Sequence, residues 1–233
     1  MSLLKVPFSA LVIWAVQTTL TPPQPPAETQ ERVGAMGLEV AKIPRFIKTC
    51  FWVTGAFEII VLIASAYPTH FLSAYILRNL VHFPQQEMRI SGSFLAAWAT
   101  SLSATLIRQR CYHVLGRMFT FELTIRKNHR LITSGPYAYV RHPSYSSGAL
   151  ALCAALACHL SPGSWLMQEG SALFSPEWVQ RIVVSFWIIT GVICYFVIAP
   201  RLKKEDDMLR KQFGDQWDQW AQKVPYKLIP WVY

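Results

Sequence analysis

The chain has 233 residues, 52% of them hydrophobic and only 15% charged, with a mean hydropathy of +0.26 and a formal net charge of +9. That composition is more apolar than an ordinary soluble domain allows, so it predicts a membrane protein. The positive charge does not indicate nucleic acid: the basic residues sit in loops between apolar runs, with no basic-aromatic platform or groove-reading module among them.

Five apolar stretches approach the roughly 20 residues that a helix needs to cross a bilayer core, at about 6–21, 50–67, 93–107, 147–166 and 182–199. Lys5 and the first stretch begin like a signal peptide, but no small-x-small cleavage site follows Val16, so an anchor helix is expected. A Pro-rich connector, TPPQPPAETQE at 21–31, joins it to the rest. The second stretch carries Glu58, an intramembrane carboxylate that needs a partner, a polar cavity or a proton, and that lies near no recognisable site residue. Between the stretches, Lys and Arg number four in 21–50, seven in 108–145 and seven in 201–233, against four in total on the alternate side: Lys5, Arg78, Arg89 and Arg181. Basic loops stay in the cytosol, so the amino terminus is expected in the lumen and the carboxy terminus in the cytosol. The expected fold class is all-α: a multi-pass transmembrane helical bundle of about five spans, with a cytosolic cap formed by the loop before span four and a C-terminal amphipathic helix. Cys50, Cys111, Cys153, Cys158 and Cys194 form neither a disulfide framework nor a CxxC pattern. His70, His82, His113 and His159 make no zinc-ligand pair, so packing roles and no metal are expected.

The run LITSGPYAYVRHPSYSSG at 131–148 is the most informative part of the chain. Gly135-Pro136 favours a turn, and Pro143 suits the first turn of a helix, where its missing N–H costs nothing. Backbone N–H groups at 144–147 would then face the interface and offer a place for a carboxylate or phosphate, with Arg141 and His142 beside it. Isolated residues of this kind would merely snorkel or cap, but these two cluster with three tyrosines. RLKKEDD at 201–207 follows Pro200 and is expected to open a cytosolic helix. Leu202, Leu209, Phe213, Trp217, Trp220 and Val224 form its apolar stripe, which can lie on the membrane or on the other basic segment. One of Glu205, Asp206 and Asp207 is a good ligand for a hydroxyl or an amine.

HxLITSGPYxYVRHPSY, the RxxxE spacing of Arg201 and Glu205, FGDQW at 213–217 and VPYKLIP at 224–230 together resemble the isoprenylcysteine carboxyl methyltransferase family. The resemblance runs over about 110–232 and includes RCYHVLGRMFTF at 110–121. It implies that S-adenosylmethionine is held by His129, Arg130, Leu131, Ile132, Tyr137, His142, Pro143, Ser144, Tyr145 and Glu205. It also implies that Arg201 contacts the acceptor and that Arg141 lines the reacting centre, so Arg141, Arg201 and Glu205 are the expected catalytic residues. Asp206 stands where the family commonly has a second glutamate, and is a weaker acidic candidate. The implied organisation is a single domain over 1–233, with N-terminal helices and connector over 1–90 and a catalytic core over 91–233.

The implied activity is methyl transfer to the C-terminal carboxylate of prenylated cysteine in CaaX-type proteins after their proteolysis, at the cytosolic face of the endoplasmic reticulum membrane. A carboxylate is already ionised at neutral pH, so the transfer requires no general base, metal or covalent intermediate, and positioning dominates. Arg201 or Arg141 would orient that anion. An isoprenoid gains ~0.8 kcal/mol per buried CH₂ and would enter sideways from the lipid. Phospholipid N-methyltransferases share the core, and membrane sterol reductases using NADPH share the VPYKLIPWVY ending. No GxGxxG follows a strand, which excludes a Rossmann-type enzyme.

Overall fold

The computed structural model describes residues 2–25, 39–81, 88–121, 124, 129–167 and 177–232, and among these the chain is all-helical, without a β-strand. Seven α-helices follow in order: α1 (Lys5–Thr19), α2 (Glu39–Ala66), α3 (Phe71–Leu80), α4 (Gly92–Leu115), α5 (Pro143–His159), α6 (Glu177–Phe213) and α7 (Asp215–Lys223). Their limits follow local chemistry. The Ser91 hydroxyl accepts from the Phe94 N–H at 3.1 Å and starts α4, His70 does the same for α3 through Leu72, and Pro143 opens α5. Gly214, at φ +51°, separates α6 from α7.

The five expected stretches coincide with α1, α2, α4, α5 and α6, but with changed lengths. The fourth ends early, because α5 stops at His159, and α3 was not anticipated. One helix among the described residues, over Lys42–Ala66, is long and apolar enough to cross a membrane, with a hydropathy of 1.8. Most of the connector, from residue 26 onward, lies outside the described residues, as does His82. A further correction concerns residue 200. Instead of starting a new helix there, α6 runs through Pro200, which an apolar helix tolerates when neighbouring groups satisfy the freed carbonyl.

The core lies where α1, α2, α4 and α5 meet, around Val12, Val16, Ile47, Phe51, Phe94, Ala155 and Cys158. The contact of α5 with α4 is close because Ser147, Gly148, Ala151, Ala154 and Ala155 are small. The outward surface carries Trp14, Phe46, Trp52, Ile60, Ile63, Leu106 and Leu150, an apolar exterior that suits lipid better than water.

Of the three possibilities open to Glu58, the structure provides partners. The Lys5 ammonium lies 2.6 Å from its Oε1, His159 Nδ1 lies 3.4 Å from its Oε2, and Lys5 also donates to the Gly163 carbonyl at 2.9 Å. Lys5 is fully buried rather than set in a lumenal loop, so this triad joins the start of α1 to the middle of α2 and the end of α5. A buried charge tolerates such a place only when it is paired.

Candidate active site

Two segments far apart in sequence meet at the other end of α5. The first runs from residue 129 to 145. Gly135 opens its tight turn at φ +63°, a conformation that favours glycine, and a Cβ there would also sit tightly against Val114, at 3.2 Å. The turn is held by the apolar stripe: Trp217, Trp220 and Val224 pack with Cys111 and Tyr137, flanked by Leu131, Ile132, Leu209 and Phe213. The Trp220 indole N–H donates to the Tyr137 carbonyl at 3.2 Å. Of the two fates open to that stripe, the chain uses packing on the basic segment. The stretch after α7 then clasps the motif, as the Tyr226 and Lys227 carbonyls accept from the backbone N–H groups of Arg141 and His142 at 2.9 and 2.8 Å.

The second segment is the part of α6 from Arg201 to Asp206. Arg201 Nε donates to the Tyr145 hydroxyl at 2.7 Å, and that hydroxyl donates to Glu205 Oε2 at 2.7 Å. Arg201 Nη2 donates to the Phe121 carbonyl. Beside this line, His142 bridges two carboxylates, with Nε2 at 3.0 Å from Asp206 Oδ1 and Nδ1 at 3.7 Å from Glu205 Oε1. Arg141 Nη1 and Lys227 Nζ approach Asp206 Oδ2 at 3.3 and 3.8 Å. The Arg141 guanidinium also covers the Trp217 ring at 5.4 Å and donates to the Pro225 carbonyl at 3.3 Å.

These contacts set the protonation states. Burial works against a charged His142, but hydrogen bonds and charge from Asp206 and Glu205 outweigh it and raise the imidazole to about 9. Burial likewise opposes ionisation of Glu205, yet His142, Tyr145 and Arg201 together hold its carboxyl below the ordinary value. Burial, with the Glu205 charge, pushes the Tyr145 phenol well up, so it remains a neutral donor. Burial lowers His129, against the pull of Glu205, and keeps that imidazole neutral at physiological pH.

Most expected site residues converge here. Of the 144–147 N–H groups, those of Tyr145 and Ser146 bond the His142 carbonyl at 3.1 and 3.5 Å. His142 does not cap α5, since its side chain is spent on Asp206. Pro143 and Ser144 are buried, and the Ser144 hydroxyl faces Arg108 at 3.0 Å instead of open space. Arg130 is exposed, and its backbone N–H rests on the Met118 sulfur at 3.3 Å. Asp206, ranked below Glu205 in the sequence, is the hub of the buried charges, and Lys227 was not anticipated at all. Nothing in the local pattern pairs residue 206 with 142; only the crossing of α6 over the start of α5 does so.

Residues 97–166 match the isoprenylcysteine carboxyl methyltransferase (ICMT) family, a segment that holds the 131–148 run but stops short of Arg201 and Glu205. The chain is 27% identical over 136 residues to protein-S-isoprenylcysteine O-methyltransferase B of Arabidopsis thaliana, covering 55% of this chain and 58% of that protein. It is 28% identical over 119 residues to protein-S-isoprenylcysteine O-methyltransferase of Schizosaccharomyces pombe, covering 49% and 41%. A delta(14)-sterol reductase of Saccharomyces cerevisiae is 29% identical over 73 residues, which are 30% of this chain and 15% of the reductase. The chain thus spans about half the length of the curated methyltransferases it matches. The resemblance carried by the central motif is repeated in these comparisons: residues 97–166 are similar to the isoprenylcysteine carboxyl methyltransferase family.

Proposed function

We propose that the chain transfers a methyl group from S-adenosylmethionine to the C-terminal carboxylate of prenylated cysteine in CaaX-type proteins after their proteolysis. The observation that carries this reading is the line Arg201, Tyr145, Glu205 beside the His142–Asp206–Arg141 cluster, assembled from the two segments that bear the family-like motifs. S-adenosylmethionine supplies an electrophilic methyl on a sulfonium. The residues present suit such a group: His129 Nδ1 and Arg141 Nε are buried polar atoms without a hydrogen-bond partner, and the Glu205 side chain keeps 27% exposure. Glu205 offers a carboxylate to the cofactor's cationic end, with His129, Arg130, Leu131, Ile132, Tyr137, His142 and Tyr145 around it. Pro143 and Ser144 shape that wall from behind.

The two arginines differ in what they already hold. Arg141 faces the Asp206 carboxylate, whereas the hydrogen bonds of Arg201 go to neutral oxygens, those of Tyr145 and Phe121. Arg201 therefore keeps more of its charge for an incoming anion and orients the acceptor carboxylate, while Arg141 fixes the wall beside the reacting centre. Moderate pairing suits the chemistry, because a carboxylate gripped too firmly in the ground state loses nucleophilicity. The acceptor's isoprenoid lies along the apolar exterior. We further place the chain in the endoplasmic reticulum membrane as a bundle of five spans with its carboxy terminus in the cytosol. It forms one domain over 1–233, with 91–233 as its catalytic part.

Transfer of labelled methyl from S-adenosylmethionine to S-farnesylcysteine, in membranes holding this chain, tests the reading. Base-labile label that disappears with Arg201→Ala supports carboxyl methylation. The similarity to a sterol reductase favours one rival, and NADPH oxidation with a sterol in place of methyl transfer would install it.

A further inference from the structure

We propose that Arg108, near the end of α4, is a positioning residue that brackets the two halves of the site; this rests on the methyl-transfer reading above. No motif singles it out. Its guanidinium nevertheless touches four separate parts of the chain. Nε donates to the Thr19 carbonyl at the end of α1 (3.0 Å) and lies 2.7 Å from the Tyr112 hydroxyl, which itself donates to Thr19. Nη1 donates to the Ser144 hydroxyl at 3.0 Å and to the Ser144 carbonyl. The Phe121 ring lies 5.5 Å from its Cζ, and the Phe121 carbonyl is the group that accepts from Arg201.

Arg108 thus holds residue 144, between His142 and Tyr145, on one side and the residue that receives Arg201 on the other. Only a planar guanidinium serves both, since a lysine ammonium is a single point of charge on a flexible stem. Gly148 provides an independent sign that the place is kept clear. A Cβ there would come 2.5 Å from Arg108 Nη1 and 3.0 Å from Cζ, so any side chain at 148 displaces the guanidinium. Of the residues expected around the methyl donor, Arg108 touches Ser144, which shapes the wall from behind, so it acts through Ser144 and Phe121.

The test uses the full chain with Arg108→Met, Arg108→Lys, Gly148→Ala and the double variants, read in two ways. Steady-state methyl transfer separates KM for S-adenosylmethionine from kcat, and hydrogen exchange over 141–147 reports the segment without any methyl donor. Gly148→Ala is expected to raise that KM and speed that exchange, with a loss in kcat/KM of about tenfold or more, because small misplacements near a reacting centre are costly. In the Arg108→Met background, the same Gly148→Ala change is expected to add nothing, since the clashing group is gone. Should Arg108→Met not fold, the Arg108→Lys background serves, in which Gly148→Ala is expected to cost far less than in the parent. An equal cost of Gly148→Ala in both backgrounds, or unaltered exchange over 141–147, overturns the bracket. A parent chain that exchanges as expected but transfers no methyl group counts against the methyl-transfer reading alone.

Discussion

The chain buries charge at both ends of α5, and the two places are built differently. At the His159 end, Lys5, Glu58 and His159 have side chains 0%, 2% and 5% exposed, and they face one another across three helices. At the Pro143 end, His142 and Asp206 are also buried, but the Glu205 side chain keeps 27% exposure. A sealed cluster of opposite charges fixes helices; a cluster left partly open to its surroundings can take a ligand. The two lie roughly 24 Å apart along the helix, so they can be disturbed separately.

The largest effect is expected at the sealed end. Lys5→Met leaves Glu58 with only a histidine and should cost about 3–5 kcal/mol of stability, read as lost expression or a lowered melting temperature. The double change Lys5→Met with Glu58→Leu removes both charges and is expected to recover most of that loss, as the paired arrangement is worth little more than apolar packing. If the single variant melts like the parent, the triad is not a clamp. At the open end, Glu205→Gln should lower melting less than Lys5→Met does, but weaken S-adenosylhomocysteine binding by about 2 kcal/mol, about thirtyfold in calorimetry, the scale of a lost charged hydrogen bond. A large melting shift with intact binding would reverse the contrast between the two clusters.

A smaller effect concerns pH. The folded value of His142, about 9, lies above its ordinary 6.5, so its stabilising contribution is complete below about 6.5 and fades as the pH climbs through 9. Glu205 is held below its ordinary 4.5, and its contribution is complete above 4.5 and fades as the pH falls through the lowered value. Melting temperature is therefore expected to fall on the alkaline side, and His142→Gln should flatten that limb and shrink the acid one, because His142 is foremost among the groups that hold Glu205 ionised. The smallest effect is expected from Trp220→Phe, which keeps the ring in the apolar stripe and loses one hydrogen bond to Tyr137, about 1 kcal/mol by denaturation.

Much was legible in the sequence because its signals are local. Apolar runs marked five of the seven helices, Pro143 marked the start of α5, and the periodic Trp217, Trp220 and Val224 marked an apolar face. The 131–148 run also marked one wall of the candidate site, since its turn glycine and helix-opening proline act within a few residues. Tertiary structure alone decided which charges meet. Glu58 and Lys5 are 53 positions apart and share no pattern, and Asp206 finds His142 across 64 positions. Arg108 was one of seven basic residues in a loop-and-helix count until the ends of α1 and α5 came to it. Periodicity and turn chemistry report how a segment folds on itself, whereas pairing of buried charge depends on which helices cross and at what height. That is fixed by the small residues of α5 packing on α4, by α1 lying against both, and by the turn at Gly214 that returns the chain over the motif.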